Sequence, residues 1–202
     1  MDRFQYNPEA TSNTPHLLPF GDAYPAVHES VFCAPGSWVI GDVVIGENSS
    51  VWYNAVVRGD VHYIRIGSGT NIQDNCVIHV THDTNPTSIG NNVTVGHGAI
   101  LPGCSIEDVS LIGMGATVLD RAVVRTGAFV AAGSLVPPGF EVPSGTLVAG
   151  VPAKVVRDLR FDEKQELQDA ARRYTVYARQ QRTSLGGAGI HSAPERGSDR
   201  SV

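Results

Sequence analysis

The sequence has few aromatic and few charged residues, 7% and 17% of its 202 residues, and what it lacks excludes several classes of protein. The net charge of −5 argues against a nucleic-acid partner, which would need clustered lysine and arginine to meet phosphates. No apolar run approaches the roughly 18 residues that span a bilayer, so no transmembrane segment is expected either. The three cysteines have no CxxC spacing, which predicts reduced, buried thiols.

The first residues contain neither an apolar signal core nor an arginine-rich presequence. The expected location is therefore the cytosol. The mitochondrial matrix remains open for a protein whose targeting signal is unusual or internal.

Aliphatic residues recur every six positions through most of the chain and are often followed by glycine. This period matches neither an α-helix nor a single strand. It predicts an all-β solenoid in which each hexad is one short strand and a turn, and three hexads close one triangular coil. The residues predicted to point into the core are Ile45, Val51, Val57, Ile66, Ile72, Ile78, Ile89, Val95, Leu101, Ile106, Ile112, Val118, Val124, Val130, Val136, Val142 and Val148.

The pattern divides the chain into four segments. Residues 1–25 are predicted to form an extended arm lying on a neighbouring subunit, and residues 26–152 to form the solenoid. Residues 153–182 are predicted to form a C-terminal helix, and residues 183–202, which are rich in Gly, Ser and Arg, to form a flexible tail.

The predicted helix has an apolar stripe at Leu167, Ala171, Tyr174 and Ala178. Because these positions share one helix face, the helix is expected to pack back on the coils. Asp162 is the expected N-cap.

Polar side chains interrupt the apolar hexads at four places: Arg58 and Asp60; Asn71, Gln73 and Asp74; His79 and His82; and His97. A five-residue excess near residues 81–86 cannot fit a coil and must loop outward, which often marks a binding face.

The hexad phase predicts the relative positions of the two histidines that follow core residues. Ile78 and Leu101 lie one coil apart on one face of the triangle, so His79 and Pro102 stack. His97 lies on a different face. A threefold oligomer would bring His97 of one chain to His79 of another, where they could share a metal; solvated or simply hydrogen-bonded histidines are the alternative.

The remaining polar and thiol side chains are predicted to be structural. Arg58 and Asp74 are expected to form an ion pair across a subunit boundary, and Asp60 to have a similar interface role. Cys76 and Cys104 are expected to be small residues of the solenoid wall.

Several segments together resemble the gamma-class carbonic anhydrase family: VVRGDVHYIRIG, TNIQDNCVIHVTH, IGNNVTVGHGAI and IGMGATVLD. The resemblance implies a left-handed parallel β-helix that forms trimers. It also implies a metal at each subunit interface, zinc or else iron or cobalt, bound by three histidines from two chains. His79 matches the first ligand and His97 the second, contributed across the interface. The third ligand position is Pro102, which has no donor atom.

The resemblance also implies how the other polar residues would act. A bound metal lowers the pKa of its water, giving a hydroxide that attacks CO2, and Gln73 and Asn71 would orient hydroxide or CO2. His82, at the base of the outward loop, is the candidate substitute ligand. His82 or Tyr174 (or its neighbour Tyr177) would be the proton shuttle.

Three functions therefore stand open. The first is reversible hydration of CO2 to bicarbonate by a metal-containing trimer, provided that a third ligand is supplied. The second is a non-catalytic scaffold subunit with a degenerate metal site that holds no metal, in a homotrimer or a heterotrimer with related subunits, as in mitochondrial respiratory complex I. The third, which the Arg, Asp and Gln constellation disfavours, is a hexapeptide acyltransferase acting on a CoA substrate.

Overall fold

The computed structural model describes residues 15–186, and short strands alternate with turns along most of this span. The strands are β1 (His16–Leu18), β2 (Ala26–Val27), β3 (Phe32–Cys33), β4 (Trp38–Ile45), β5 (Ser50–Val51), β6 (Val56–Ile66), β7 (Asn71–Ile72), β8 (Val77–His79), β9 (Thr87–Ile89), β10 (Thr94–Val95), β11 (Ile100–Pro102), β12 (Ser105–Ile106), β13 (Leu111–Ile112), β14 (Thr117–Val118), β15 (Val123–Val124), β16 (Phe129–Val130), β17 (Leu135–Val136), β18 (Glu141–Val142), β19 (Thr146–Gly150) and β20 (Ala153–Asp158). One helix, α1 (Phe161–Ser184), follows them.

The strands wind into a β-solenoid of about seven turns, which confirms the predicted architecture. One face is the sheet β3-β5-β7-β10-β13-β16-β19, closed at its end by β20. The other two faces are joined in one sheet, because the long strand β6 bends around a corner. Its start pairs with β8 and its end with β9, and the two faces continue from there through β11 and β12.

One column of aliphatic side chains per face fills the core of the solenoid. Every residue that the hexad frame places inward, from Ile45 to Val148, is no more than 4% exposed. Turns between hexads need backbone conformations that most L-residues avoid, and asparagine supplies several of them, as at Asn54 with a φ of 58°. One residue of each hexad is therefore buried in the core, and the rest of the hexad forms the strand and its turn. This is why the fold is predicted by a six-residue repeat and not by a two-residue alternation.

The close packing of these columns makes a large stability effect testable at Leu101. Its side chain is fully buried, whereas the neighbouring Ile100 is 45% exposed. Leu101→Ala is expected to lower the free energy of unfolding by about 2–5 kcal/mol through lost burial and the cavity left behind. Ile100→Ala is the matched control and should change it by under ~1 kcal/mol. Equal losses in urea denaturation of the two variants would contradict the inward assignment of Leu101.

The C-terminal segment differs from the prediction of a helix over residues 153–182. Residues Ala153–Asp158 form β20, which pairs antiparallel with β19, and the helix begins only at Phe161 and ends at Ser184. The β-branched pair Val155 and Val156 favours this strand, which covers the last coil of the solenoid. The predicted helix was wrong at its start because strand pairing with the final coil outweighs the local helix-forming composition.

The start of α1 also corrects the predicted cap. Arg160, not Asp162, occupies the N-cap position, and Asp162 lies in the first turn. The Glu163 carboxylate accepts a hydrogen bond from the Arg160 backbone N–H at 2.8 Å and two from the Arg157 guanidinium at 2.7 and 2.8 Å. These bonds hold the pKa of Glu163 down at about 2, the Arg157 hydrogen bonds being the largest cause.

Helix α1 packs on the first coils, as its apolar stripe predicts. Leu167, Ala171 and Ala178 are buried, and Tyr174 packs edge-on against Trp52 at 5.4 Å between ring centroids. None of the described segments contains a helix that is both long and apolar enough to cross a membrane.

The arm predicted over residues 1–25 lies partly in the solenoid itself. Strand β1 pairs in parallel with β4, His16 opposite Trp38, and the two rings stack with their centroids 3.8 Å apart. The described part of the arm therefore extends this chain's own sheet. The prediction that it lies on a neighbouring subunit is wrong for these residues. Residues 1–14, and residues 187–202 of the predicted tail, lie outside the described residues.

Candidate metal site

His79 stands at the end of β8 with its side chain 28% exposed. Its ring Nδ1 lies 2.9 Å from the backbone oxygen of Arg58. Because a carbonyl oxygen only accepts hydrogen bonds, Nδ1 must carry the proton, and Nε2 keeps its lone pair. A carbonyl oxygen that accepts a hydrogen bond from the other ring nitrogen fixes the ring and tautomer of metal-binding histidines. This hydrogen bond leaves the lone pair of His79 on Nε2, and metal binding through that nitrogen stays a prediction.

Pro102 lies directly opposite His79 in the adjacent coil. The parallel pairing of β8 with β11 places Val77 against Ile100, Ile78 against Leu101, and His79 against Pro102. The predicted stacking of His79 on position 102 is confirmed. Since adjacent strands are about 4.8 Å apart, a side chain at position 102 would reach the same space as the His79 ring. Proline puts a ring there that cannot bind a metal.

His97 follows β10 and so lies on a different face from His79, as the hexad phase predicts. Its Nδ1 is 2.7 Å from the Asp74 carboxylate, and its backbone N–H donates to Gln73 Oε1 at 3.2 Å. The carboxylate fixes the Nδ1–H tautomer, which leaves Nε2 as the free lone pair. The His97 side chain is 44% exposed, and a carboxylate on the other ring nitrogen is a usual partner of a metal-binding histidine.

Tyr174 brings helix α1 to this histidine. Its hydroxyl lies 3.5 Å from His97 Nε2, within reach to donate a weak hydrogen bond. Burial, with a smaller contribution from the Asp74 carboxylate, raises the pKa of Tyr174. The phenol therefore stays protonated at neutral pH and lies beside the one ring nitrogen of His97 that a metal would use.

Gln73 and Asn71 form a buried amide network beside His97. Gln73 is 4% exposed and donates from Nε2 to Asn71 Oδ1 at 3.1 Å. Asn71 in turn donates to the hydroxyl of Thr94 at 3.0 Å and to the backbone oxygen of Val93 at 3.3 Å. Within the chain, these amides orient one another and the His97 backbone. Their predicted action on CO2 or hydroxide stays a prediction.

Arg58 and Asp60 form an ion pair with each other beside His79. Asp60 also accepts a hydrogen bond from the Val61 backbone N–H at 2.9 Å and lies 3.8 Å from His79 Nδ1. Asp74 is engaged with His97, not with Arg58 of its own chain. The ion pair between Arg58 and Asp74 stays a prediction for a subunit boundary.

His82 lies on the outward loop after β8. Thr81 and Asn85 pair with each other at the base of this loop, and both donate to the Asp120 carboxylate, which lies two coils further along the solenoid. The His82 side chain is 73% exposed, and its Nδ1 lies 2.9 Å from the Asp83 carboxylate. Hydrogen bonds hold the base of the loop in place. Within residues 15–186, however, no hydrogen bond or ion pair orients the His82 ring toward His79.

The donors in residues 15–186 of one chain do not complete a three-ligand metal site. Across the described coils and helix, no three side chains of His, Cys, Asp or Glu gather where they could hold one ion. Cys104, two residues after Pro102, points inward, and burial raises the pKa of its thiol to about 12. Cys76 is buried as well, and its pKa is raised to about 11 by burial. Neither thiol can replace the missing histidine.

The chain is similar to carbonic anhydrases along most of its length. It is 51% identical over 164 residues to gamma carbonic anhydrase 2, mitochondrial, of Arabidopsis thaliana, which covers 78% of this chain and 59% of that protein. It is 47% identical to a carbonic anhydrase of Geobacillus kaustophilus, covering 83% of this chain and 95% of the other. The chain belongs to the gamma-class carbonic anhydrase family.

The solved structures agree with the fold of that family. A crystal structure of a hexapeptide transferase family protein from Anaplasma phagocytophilum matches with a TM-score of 0.79 at 44% identity, covering 82% of this chain and 97% of the other. No protein-family model matches the chain. The chain spans 59% of the length of the Arabidopsis relative.

The contact of His97 with Asp74 in the same chain was not predicted, although the hexad repeat contains the signal for it. Asp74 lies two residues after Ile72, and His97 lies two residues after Val95. Ile72 and Val95 are opposite each other in adjacent coils. Side chains at the same phase of adjacent hexads are neighbours, so the contact between Asp74 and His97 follows from the repeat itself.

Proposed function

We propose that this chain is a carbonic-anhydrase-like subunit that acts in a mixed trimer, where its His97 completes the metal site of a neighbouring subunit. The observation that carries this proposal is the pairing of His79 with Pro102. A site built on His79 and position 102 of this chain lacks a donor. His97, by contrast, keeps a carboxylate partner on Nδ1, a fixed tautomer and a half-exposed side chain, with Nε2 lying 3.5 Å from the Tyr174 hydroxyl.

Interface sites of the kind that the family resemblance implies take two ligands from one chain and one from the next. A homotrimer of this chain would then hold two histidines at every interface and no third, whereas catalytic zinc normally has three protein ligands and one water. In a trimer with two subunits that carry histidine at position 102, one site is incomplete and two are complete. One of these two uses His97 of this chain.

The activity proposed for the mixed trimer is reversible hydration of CO2 to bicarbonate at the two complete sites. The names of the curated relatives support this reaction class. The ion proposed is zinc, with iron or cobalt as alternatives. The name of the Arabidopsis relative includes the word mitochondrial, which supports the mitochondrial matrix as the proposed location.

A scaffold role without metal is the second candidate, and Pro102 is the observation that favours it. Where no complete subunit is present, the solenoid would serve only as an assembly surface, in a homotrimer or as part of a larger respiratory assembly. Metal content separates the two candidates because a scaffold needs none.

The test is zinc content per trimer for this chain alone and for a mixed trimer. The chain and a family member with histidine at position 102 are co-expressed with different affinity tags and isolated as trimers with one copy of this chain. We expect about two zinc ions per mixed trimer and close to none in the chain alone. CO2 hydration should follow the zinc.

Other zinc contents would contradict the proposal. About one zinc per mixed trimer would show that His97 of this chain completes no site. Near-stoichiometric zinc in the chain alone would show that another side chain, such as His82, replaces the missing ligand. No mixed trimer at all would leave the scaffold role for the homotrimer.

A further inference from the structure

A cavity of about 300 Å³ lies between the last turns of α1 and the first coils, and neither His79 nor His97 lines it. Thr175, Ala178, Arg179 and Arg182 line it from the helix, at the spacing i, i+3, i+4 and i+7 that forms one stripe. Phe32 forms the apolar floor and is 4% exposed. None of the residues that line the cavity is acidic.

The two arginines of this cavity differ from most others in the chain. Within residues 15–186, every arginine other than Arg121, Arg179 and Arg182 has a carboxylate within 4.0 Å. Two of these three exceptions lie side by side in one cavity, in a protein whose net charge is −5. Two like charges one helical turn apart repel each other, and an anion between them would remove that repulsion.

The hydrogen bonds of the two guanidiniums leave donors for such an anion. Arg179 Nη2 donates to Asn48 Oδ1 at 3.3 Å, and Arg182 donates to the backbone oxygens of Glu29 and Val31. Each guanidinium has five N–H donors, so most of those on Arg179 remain unused. Arg182 is held in place by the two carbonyl groups, which reduces the entropy cost of binding.

We propose that this cavity binds a small phosphate-bearing ligand, such as a diphosphate, between Arg179 and Arg182. Planar guanidinium groups bind phosphate oxygens in a bidentate manner. The volume exceeds that of a single inorganic phosphate, so the ligand would carry two phosphoryl groups or one phosphoryl group and a small organic part. This proposal does not depend on the metal site or on the proposed function.

The experiment is isothermal titration calorimetry of the full chain with sodium pyrophosphate, at constant ionic strength, compared with citrate. Saturable binding is expected, with an affinity for pyrophosphate at least tenfold above that for citrate. Arg179→Gln should lower this affinity at least tenfold. Arg172→Gln is the matched control, because Arg172 lies on the same helix outside this cavity and has only a 3.7 Å contact with Asp169.

Arg182→Gln removes two contacts that fasten the helix, so its effect on folding must be separated from its effect on binding. The Arg179→Gln variant avoids this problem, since the hydrogen bond that the Arg179 guanidinium makes within residues 15–186 is to the Asn48 amide oxygen and not to the backbone, and its circular dichroism should match that of the native chain. The proposal is overturned by non-saturable binding, by an equal affinity for citrate, or by an equal loss of affinity in the Arg172→Gln control.

Discussion

Replacing Pro102 with histidine is expected to convert a homotrimer that holds almost no zinc into one that holds close to one zinc ion per subunit. The physical reason is the register of β8 and β11, which places position 102 opposite His79. The new imidazole would supply the third nitrogen, and three-ligand sites with an open position are the usual form of catalytic zinc. Elemental analysis of protein purified without added metal measures the change directly.

Pro102→Ala is the control for this gain. It removes the same ring but adds no donor, so zinc content should stay near zero if the missing ligand is the cause. Position 102 points outward, since the neighbouring Leu101 occupies the core, so both variants should keep the native urea midpoint. Unchanged zinc in Pro102→His, with the trimer intact, would show that His79 and position 102 do not face a shared metal.

CO2 hydration by Pro102→His should appear together with the zinc, because a bound metal is what lowers the pKa of water enough to make hydroxide at neutral pH. Zinc without activity would have a different meaning. It would place the defect in the surrounding residues, for instance in the hydroxyl of Tyr174 beside His97, and it would leave the metal assignment intact.

The fold was predictable from the sequence because each hexad by itself predicts one strand and one turn. An aliphatic residue such as Ile78 or Leu101 must be buried, and the turns between hexads are tight, so every repeat specifies the same local structure. The capping strand Ala153–Asp158 was not predicted, since it belongs to no repeat. It forms because the last coil otherwise presents an unpaired edge, a constraint that acts between segments and not within one.

The candidate site was predictable where it follows the repeat and not where it depends on another segment. The stacking of His79 on Pro102 comes directly from the hexad phase. The contact of Tyr174 with His97 depends on where α1 docks, and sequence periodicity shows the apolar face of the helix but not its position along the coils. Contacts between subunits are harder still to predict from the sequence, because they depend on how the subunits are arranged, and the repeat of one chain does not specify that arrangement.

Substituting alanine for His97 in the mixed trimer is expected to remove about one of the two zinc ions and about half of the CO2 hydration activity, counted per trimer. The reason is that His97 of this chain would serve one complete site, while the other complete site is built from the partner subunits alone. The fold should be unaffected, because the His97 side chain is 44% exposed. The Gln73 amide would still bind the backbone N–H of residue 97.

His62→Ala is the matched control, since the partly exposed His62 of β6 packs its ring against the neighbouring Tyr63 and should change neither zinc nor activity. Native mass spectrometry of the two mixed trimers reports subunit composition and zinc number in one measurement. If His97→Ala leaves both zinc ions in place, the histidine does not cross the interface. If it removes both, the variant has damaged the trimer itself, and a shift in the subunit composition would reveal that damage. Only the loss of one ion with the trimer intact agrees with a histidine that serves a neighbour.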